Sequence, residues 1–325
     1  MMMRRPGGTL RALRVVTAPE KTSYVQGETP SLKGAVIAAD FGGYAVPLSL
    51  SSLTVTPNRA LLPSDSYITV SATVGRITKS ATISILVEAL DADLDTNTWA
   101  KIAKAAAAGI ASQLWPLGSV KKETINGEEK RFVIVGFNAD ILAPSDALYG
   151  NADYNGGSGK AAITFRSFDY FDLGVYNRSV PTKGGWDQST MRLTHMQDAL
   201  DACPFAMQSV IRTVVKYTAA GGSGTQMRNV AAVSMDRMFL ASVKEIFGVQ
   251  GGSTPGEAAL CAQYAFYAGG SNYGTLAARQ WLRSPWVSNF AEDEDRFALR
   301  INDEKTGTTF HPSTSGLGYF PMFCV

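Results

Sequence analysis

Histidine and cysteine are scarce in this chain of 325 residues, which has two histidines and three cysteines. Cys203, Cys261 and Cys324 form no C-x-x-C pair, so the sequence predicts buried thiols instead of a disulfide framework or a thiolate zinc site. His195 and His311 have no histidine partner at helical spacing, so a metal site or a serine triad would rest on a single histidine. We therefore expect neither a metal nor a cofactor.

The chain also lacks a large net charge of either sign. Thirty Lys and Arg oppose 28 Asp and Glu, which leaves no basic field for a phosphate backbone. The Ala-rich run 105–108 is far shorter than the roughly 20 apolar residues of a membrane-spanning helix. The basic start, with Arg4 and Arg5, is followed by no apolar segment before Arg11, so we expect no secretory signal peptide. The composition predicts a packed globular protein with no nucleic-acid partner and no membrane insertion.

Residues 13–88 have an all-β pattern, rich in Val, Ile, Thr and Ser and interrupted by Gly and Pro. The clearest signal is a hairpin of two alternating strands, Tyr67–Val74 and Ile77–Val87, around the turn Gly75-Arg76. Gly34–Phe41 and Leu50–Val55 are further predicted strands. The spacing is typical of a β-sandwich of about seven short strands, preceded by an arm at residues 1–12.

Three stretches of this segment carry a family resemblance: Pro19–Glu28, Leu32-Lys33-Gly34 and the closing strand pair up to Val87. Together they are similar to the group-three bacterial immunoglobulin-like domains. The resemblance implies an immunoglobulin-like β-sandwich that serves as a spacer or display module on bacterial surface proteins and phage virion proteins.

An acidic linker is predicted at residues 89–97. Asp91, Asp93 and Asp95 imitate the opening of an EF-hand loop, but Thr96 replaces its glycine and its twelfth position is not Glu. Calcium binding at this linker is one interpretation, and solvation with helix N-capping is the favoured one.

Residues 98–325 mix helical and strand patterns, which predicts an α+β domain. A hairpin turn is predicted at Asn126-Gly127, and Ser189 or Thr190 is expected to cap a helix. Ser242 and Glu245 have capping-box spacing. The other predicted elements are a helix at Trp99–Leu114, an exposed loop at Tyr149–Lys160, a helix from Pro204 that carries Met207, Val210, Ile211, Val214 and Val215 on one face, and a strand at Ser234–Ala241.

Five motifs in this second domain occur in a fixed order. Their succession closely resembles a domain family of unassigned function in phage virion, prophage and bacterial surface proteins. Its ending is similar in layout to C-type-lectin-like folds, with a last β-hairpin. The motifs are W-x-x-I at Trp99, Val135–Asn138, G-G-W-x-x-S-x-M-R at Gly184–Arg192, Met235–Ser242 and W-L-R-S-P at Trp281–Pro285.

The sequence contains no complete catalytic motif among those considered. Gly156–Lys160 hints at a phosphate loop, but Tyr154 and Ala161 stand where a glycine and a Ser or Thr are needed. The carboxylates of Glu292–Asp295 could serve sugar hydrolysis or calcium binding, and a solvated loop is the favoured interpretation. We therefore expect that the protein is not an enzyme. A glycan hydrolase that uses these carboxylates is the least favoured of three functional hypotheses.

Aromatic and arginine residues are the binding candidates. Tyr flanked by Gly and Asn is typical of adaptable binding surfaces, whereas a W-x-R pattern more often packs internally, with its Arg donating to loop carbonyls. The predicted binding residues are Tyr149, Tyr154, Tyr176, Tyr273 and Trp286, and the predicted structural motif is Trp186, Arg192, Trp281 and Arg283.

Together these features favour a phage virion structural protein, in the tail or in head decoration. It would act by protein–protein or host-surface glycan binding, assemble in the host cytoplasm and be oligomeric in the particle with other virion proteins. The alternative is a bacterial cell-surface or secreted adhesin, which would need a translocation signal.

Overall fold

The computed structural model describes residues 8–179, 182, 184–221, 231–248, 255–286 and 297–325. The chain divides into two compact units, Met1–Asp91 and Ala92–Val325. Strands account for 36% of the structure and helices for 20%, so the protein has a β-rich α+β fold.

The described part of the first unit, from residue 8 onward, contains eight short strands. They are β1 (Ala12–Thr17), β2 (Ser23–Val25), β3 (Val36–Asp40), β4 (Ala45–Pro47), β5 (Thr54–Thr56), β6 (Tyr67–Val74), β7 (Ile77–Ser84) and β8 (Leu86–Glu88).

This unit contains two antiparallel three-stranded sheets, in the orders β1-β3-β4 and β5-β6-β7, and a parallel pair of β2 and β8. Ile37 from the first sheet and Ile68, Val70 and Ile83 from the second share one buried core. The two sheets therefore pack face to face, as expected when alternating apolar side chains line one face of each strand. The predicted hairpin of β6 and β7 is confirmed, with Val74 opposite Ile77.

Two strand predictions in this unit are partly wrong. Leu50–Ser52 is a 3₁₀ turn, and the strand begins only at Thr54. The Ser52 side chain donates a hydrogen bond to the Ser49 carbonyl at 2.6 Å, and such local bonds compete with strand pairing. The strand predicted to run on to Val87 ends at Ser84 instead, because β8 leaves this sheet and pairs in parallel with β2.

The second unit contains twelve strands and six α-helices within the described residues. The strands are β9 (Val120–Ile125), β10 (Glu128–Phe137), β11 (Ile163–Ser167), β12 (Asp172–Gly174), β13 (Val214–Ala219), β14 (Ala231–Asp236), β15 (Met238–Phe239), β16 (Trp281–Pro285), β17 (Phe297–Ile301), β18 (Thr308–Pro312), β19 (Leu317–Tyr319) and β20 (Met322–Cys324). The helices are α1 (Trp99–Ala107), α2 (Ala111–Leu114), α3 (Met196–Ala202), α4 (Phe205–Gln208), α5 (Val243–Phe247) and α6 (Pro255–Leu260).

An antiparallel sheet in the order β15-β20-β11-β10-β9 forms the centre of this unit. Trp99 of α1 packs edge-on against Phe165 and Phe323 of the sheet, with ring centroids 5.6 and 5.7 Å apart. Smaller sheets, β12-β19, β13-β14 and β16-β17-β18, complete the unit. The hairpin expected after the W-L-R-S-P motif is present as the antiparallel pair β17 and β18, and β19 and β20, which follow it, belong to different sheets.

The predictions based on turn and helix-cap residues are confirmed. The hairpin turn between β9 and β10 has Asn126 at φ 52° and Gly127 at φ 81°, as a type I′ turn requires. Ser242 and Glu245 form the complete capping box of α5. The Arg192 backbone N–H donates to Ser189 Oγ at 3.1 Å, which makes Ser189 the capping residue there.

Two helix predictions extend too far. The helix predicted at Trp99–Leu114 is split, because Gly109 adopts a left-handed φ of 71° between α1 and α2. The helix predicted from Pro204 ends at Gln208, and Val214 lies in strand β13. The strand predicted at Ser234–Ala241 is divided between β14 and β15.

Among the described residues, no helix is long and apolar enough to cross a membrane.

Candidate functional site

Arg283 is fully buried on strand β16 and donates to several groups at once. Its guanidinium contacts both carboxylate oxygens of Glu245, at 3.0 and 2.9 Å. It also donates to the carbonyl oxygen of Leu240 at 2.5 Å and to Thr218 Oγ1 at 2.9 Å. The predicted structural role of Arg283, with donation to backbone carbonyls, is confirmed.

Trp281 precedes it on the same strand and is also buried. Its indole N–H donates to the Gly174 carbonyl at 2.8 Å, and its ring meets Tyr176 edge-on at 5.9 Å. The Tyr176 hydroxyl in turn donates to the Arg283 carbonyl at 2.8 Å. The W-L-R-S-P motif is therefore an internal packing unit, as predicted.

Trp186 and Arg192 meet on one carboxylate. The Trp186 indole N–H donates to Asp236 Oδ2 at 2.9 Å, and Arg192 Nε donates to Asp236 Oδ1 at 2.6 Å. Ser234 Oγ adds a third donor at 2.6 Å. Asp236 thus joins two sequence motifs that are more than 40 residues apart.

Beside Arg283 lies a group of buried ionisable residues that we call the charged cluster: Asp140, Lys216, Glu245, Glu257 and Arg283. Lys216 Nζ, on β13, forms an ion pair with Asp140 and lies 3.1 Å from Glu245 Oε1. Two cations and three carboxyl groups are therefore enclosed within one protein core.

Two uncharged groups are within reach of the same amine. The Tyr264 hydroxyl is 2.9 Å from Lys216 Nζ and 3.2 Å from each oxygen of Asp140. The centroid of the Phe239 ring is 3.8 Å from Nζ. The amine thus sits between acidic groups and an aromatic wall.

The pKa values in the charged cluster follow from burial and from the neighbouring charges. Burial alone lowers the pKa of Lys216, but the carboxylates of Asp140 and Glu245 raise it overall. Burial alone raises the pKa of Glu245, whereas the charges of Arg283 and Lys216 lower it to about 2. Burial dominates at Glu257 and raises its pKa to about 7. Near neutral pH, Glu257 is therefore the titrating member.

A small cavity of about 70 Å³ borders the cluster, with Asp140, Lys216, Glu245, Cys261 and Tyr264 in its wall. A liquid water molecule occupies about 30 Å³, so the space suits one or two water molecules. The arrangement brings an amine, carboxylates and a phenol within hydrogen-bond distance of one another.

Most of this cluster is not predicted by the sequence motifs. They include neither Asp140, Lys216 nor Glu257, and the capping-box spacing assigns Glu245 only a role at the start of a helix. One signal was present: Lys216 interrupts the apolar strand residues 214–219, at an alternating position that faces the core. A lone Lys at such a position indicates a buried charge that needs a partner.

The predicted binding residues are placed unevenly. Tyr149 is 53% exposed, whereas Tyr154 and Tyr176 are buried, so the expected exposure of these two is wrong. Tyr154 Oη accepts the Ala162 backbone N–H at 3.3 Å, and burial raises the pKa of Tyr154 to about 12. Tyr273 is partly buried and donates to the Phe247 carbonyl at 3.3 Å. Trp286 is also partly buried.

Gly and Asn neighbours therefore indicate the backbone conformation of these loops and not the direction of the tyrosine. The structure does not bring the predicted tyrosines together as one exposed surface, because Tyr154 and Tyr176 are part of the interior.

The remaining candidates have structural surroundings. Cys203 and Cys324 are buried, as predicted, and Cys261 is partly buried. His195 ends the helical turn Met191–His195 and is partly buried beside Tyr319, and His311 lies on strand β18 opposite Ala298. The Glu292–Asp295 loop lies outside the described residues.

At the predicted linker, capping chemistry is confirmed. The Asp93 carboxylate accepts the Asp95 backbone N–H at 3.1 Å, and Thr98 Oγ1 accepts the Lys101 N–H at 3.3 Å at the start of α1. Within the described residues, no group of three or more His, Cys, Asp or Glu side chains has the arrangement of a metal site.

A surface groove of about 380 Å³ runs between the π-helical turn Met191–His195 with α3 and strands β14 and β15. Leu193 and Met235 line it and are 57% and 46% exposed. Arg192 and Asp236, paired with each other, also line it. The groove combines exposed apolar side chains with an anchored ion pair.

Comparison with known proteins adds no relative: no protein-family model matches the chain, and no curated protein is significantly similar to it.

Proposed function

We propose that this chain is a structural protein of a phage particle, in the tail or in head decoration, which acts through contacts with other virion proteins and is not an enzyme. The groove that is lined by Leu193 and Met235 carries the proposal. Large apolar side chains on a folded surface, next to fixed charged groups, are typical of protein–protein contact sites.

The first unit supports this function as an immunoglobulin-like spacer or display module. Its two antiparallel sheets share one core, and its last strand, β8, pairs in parallel with the early strand β2. For the second unit we propose a C-type-lectin-like fold. The order of β16, β17 and β18 after the helical part supports it.

A protein partner is favoured over a glycan. Sugar recognition by stacking needs exposed aromatic faces, and among the four predicted tyrosines only Tyr149 is exposed. The groove instead presents aliphatic and thioether side chains, with Val233 on the same exposed strand face as Met235. Met and Leu adapt their shape to a protein partner.

The charged cluster also supports a structural role. Its cations are engaged by carboxylates, and the adjoining cavity of about 70 Å³ is far smaller than the 300 Å³ or more of a usual ligand pocket.

Quantitative mass spectrometry of purified phage particles tests the proposal. Peptides of this chain at a fixed copy number per particle are the expected result, with hundreds of copies for head decoration or a tail tube and a handful for a tail tip. Recovery only from the surface fraction of host cells would refute the virion function and favour the bacterial adhesin.

Charge substitutions in the groove test the contact surface. Leu193→Glu and Met235→Glu should fold normally and lower incorporation into particles at least tenfold. Leu62→Glu is the matched control, since Leu62 is 51% exposed but belongs to the first unit. Equal incorporation of all three variants would show that the groove is not the contact site.

A further inference from the structure

We propose that the side chains of Lys216 and Asp140 join in an intramolecular isopeptide bond, with Glu245 as the group that carries the proton. This modification is independent of the function proposed above. It rests on the arrangement of three buried side chains in the second unit.

The reacting groups are already in contact. Lys216 Nζ is hydrogen-bonded to Asp140 Oδ1, and both residues are buried. Lys216 lies on β13, whereas Asp140 follows β10, so the bond would link two segments that are 76 residues apart. Fixed proximity of a nucleophile and its target carbon removes most of the entropic barrier to such a reaction.

The surroundings favour condensation over the ion pair. The Phe239 ring lies 3.8 Å from Nζ, and the cavity has room for few water molecules. The removal of two opposite charges from water carries a large desolvation cost. A neutral amide avoids this cost.

The first step is a proton transfer. A proton moves along the existing hydrogen bond from the Lys216 ammonium to Asp140 Oδ1, which gives a free amine and a carboxylic acid. The amine lone pair then attacks Cγ of Asp140, and the electron pair of the Cγ=Oδ2 bond moves onto Oδ2.

Hydrogen-bond donors already surround Asp140 Oδ2, on which negative charge develops in this step. Thr164 Oγ1 donates to Asp140 Oδ2 at 2.6 Å, and the Tyr264 hydroxyl lies 3.2 Å from the same oxygen. Cys324 Sγ is a third, weaker donor at 3.3 Å. Preorganised donors of this kind stabilise a tetrahedral intermediate.

Glu245 completes the proton balance. Its Oε1 lies 3.1 Å from Lys216 Nζ, and Arg283 keeps it as a carboxylate, so it accepts a proton from the attacking nitrogen. That proton passes to the Oδ1 hydroxyl, the Cγ–Oδ1 bond breaks and one water molecule leaves. An ammonium and a carboxylate have become an amide and water, and Glu245 is a carboxylate again.

Intact-mass spectrometry of the denatured full chain tests the bond directly. We expect a mass below the sequence value by one water molecule in most chains, and a branched tryptic peptide in which Lys216 is attached to Asp140. A folded wild-type chain with the full sequence mass and with trypsin cleavage after Lys216 would overturn the proposal.

Variants identify the atoms that take part. Lys216→Arg and Asp140→Ala should each restore the full mass, and Glu245→Gln should slow the loss of water at least a hundredfold. A succinimide at Asp140 also lacks one water, but it would survive in Lys216→Arg, and that result would refute the cross-link. Asp236→Asn, which removes a different buried ion-pair partner, should still lose the water. Because the branched peptide is sought in the wild-type chain, the test holds even where a variant fails to fold.

Discussion

Arg283→Met should destabilise the second unit strongly. The substitution keeps the length and apolar body of the side chain but removes the guanidinium, which is fully buried. Glu245 would lose two charge-assisted hydrogen bonds at 3.0 and 2.9 Å, and the Leu240 carbonyl and Thr218 hydroxyl would each lose a donor.

The magnitude follows from the unpaired carboxylate. Removal of one member of a buried ion pair costs about 3–5 kcal/mol, because the remaining charge stays buried without its partner. Lys216 remains 3.1 Å from Glu245 and also serves Asp140, so it compensates only in part. We therefore expect a loss of about 4 kcal/mol in the free energy of unfolding.

Urea denaturation followed by tryptophan fluorescence measures this loss of stability in the second unit of the chain. All five tryptophans lie after residue 91, so their fluorescence reports the second unit alone. With a slope of about 2 kcal/mol per molar urea, the midpoint should fall by about 2 M.

Arg279→Met is the matched control, because Arg279 forms an exposed ion pair with Asp303 at 2.9 Å. Its midpoint should match that of the wild type. If Arg283→Met shifted the midpoint no more than Arg279→Met does, the charged cluster would contribute nothing to stability and the reasoning would be refuted.

Three further predictions concern single residues of the second unit. The contribution of Glu257 to the free energy of unfolding should fall by about 3 kcal/mol between pH 4.5 and about 7, since its carboxyl group ionises over this window only in the unfolded chain. Urea titrations of Glu257→Gln should lack this contribution. Gly127→Ala should lower the free energy of unfolding by about 1 kcal/mol, because Gly127 has a φ of 81° and an alanine is strained there even though no atom lies within 4 Å of the added Cβ. Gly274→Ala is the control: its Cβ is equally free of contacts and its φ is not positive, so the urea midpoint should not change. Trp186→Phe should cost about 2 kcal/mol in thermal unfolding, because the buried Asp236 carboxylate loses one of its donors; an unchanged melting temperature would contradict this.

Local chemistry in the sequence predicted local structure well. The Asn126-Gly127 turn, the Ser242 capping box and the β6–β7 hairpin depend on residues within about ten positions of one another, and all three are confirmed. The apolar spacing from Met207 to Val215 fits a helix equally well on paper. Met207 does lie in helix α4, but pairing with β14, which begins at Ala231, makes Val214 and Val215 part of strand β13.

The charged cluster could not be predicted in the same way. Lys216 is 76 residues from Asp140 and 29 from Glu245, and no local pattern connects such positions. The W-x-R motif identified Arg283 as an internal residue but not its partner. Only the fold brings β13, β16 and α5 together, and it does so through long-range packing that a single sequence does not encode in any short motif.

Burial explains why one carboxyl group of the cluster behaves differently. Lys216 and Arg283 pair with the carboxylates of Asp140 and Glu245. Glu257 is the third carboxyl group, and burial outweighs the nearby charge of Arg283 and raises the pKa of Glu257 to about 7. The proposed amide would remove one cation and one carboxylate together and leave Arg283 paired with Glu245. The balance would be unchanged, so formation of the amide should leave the Glu257-dependent part of the pH profile in place, whereas Arg283→Met should shift it toward higher pH.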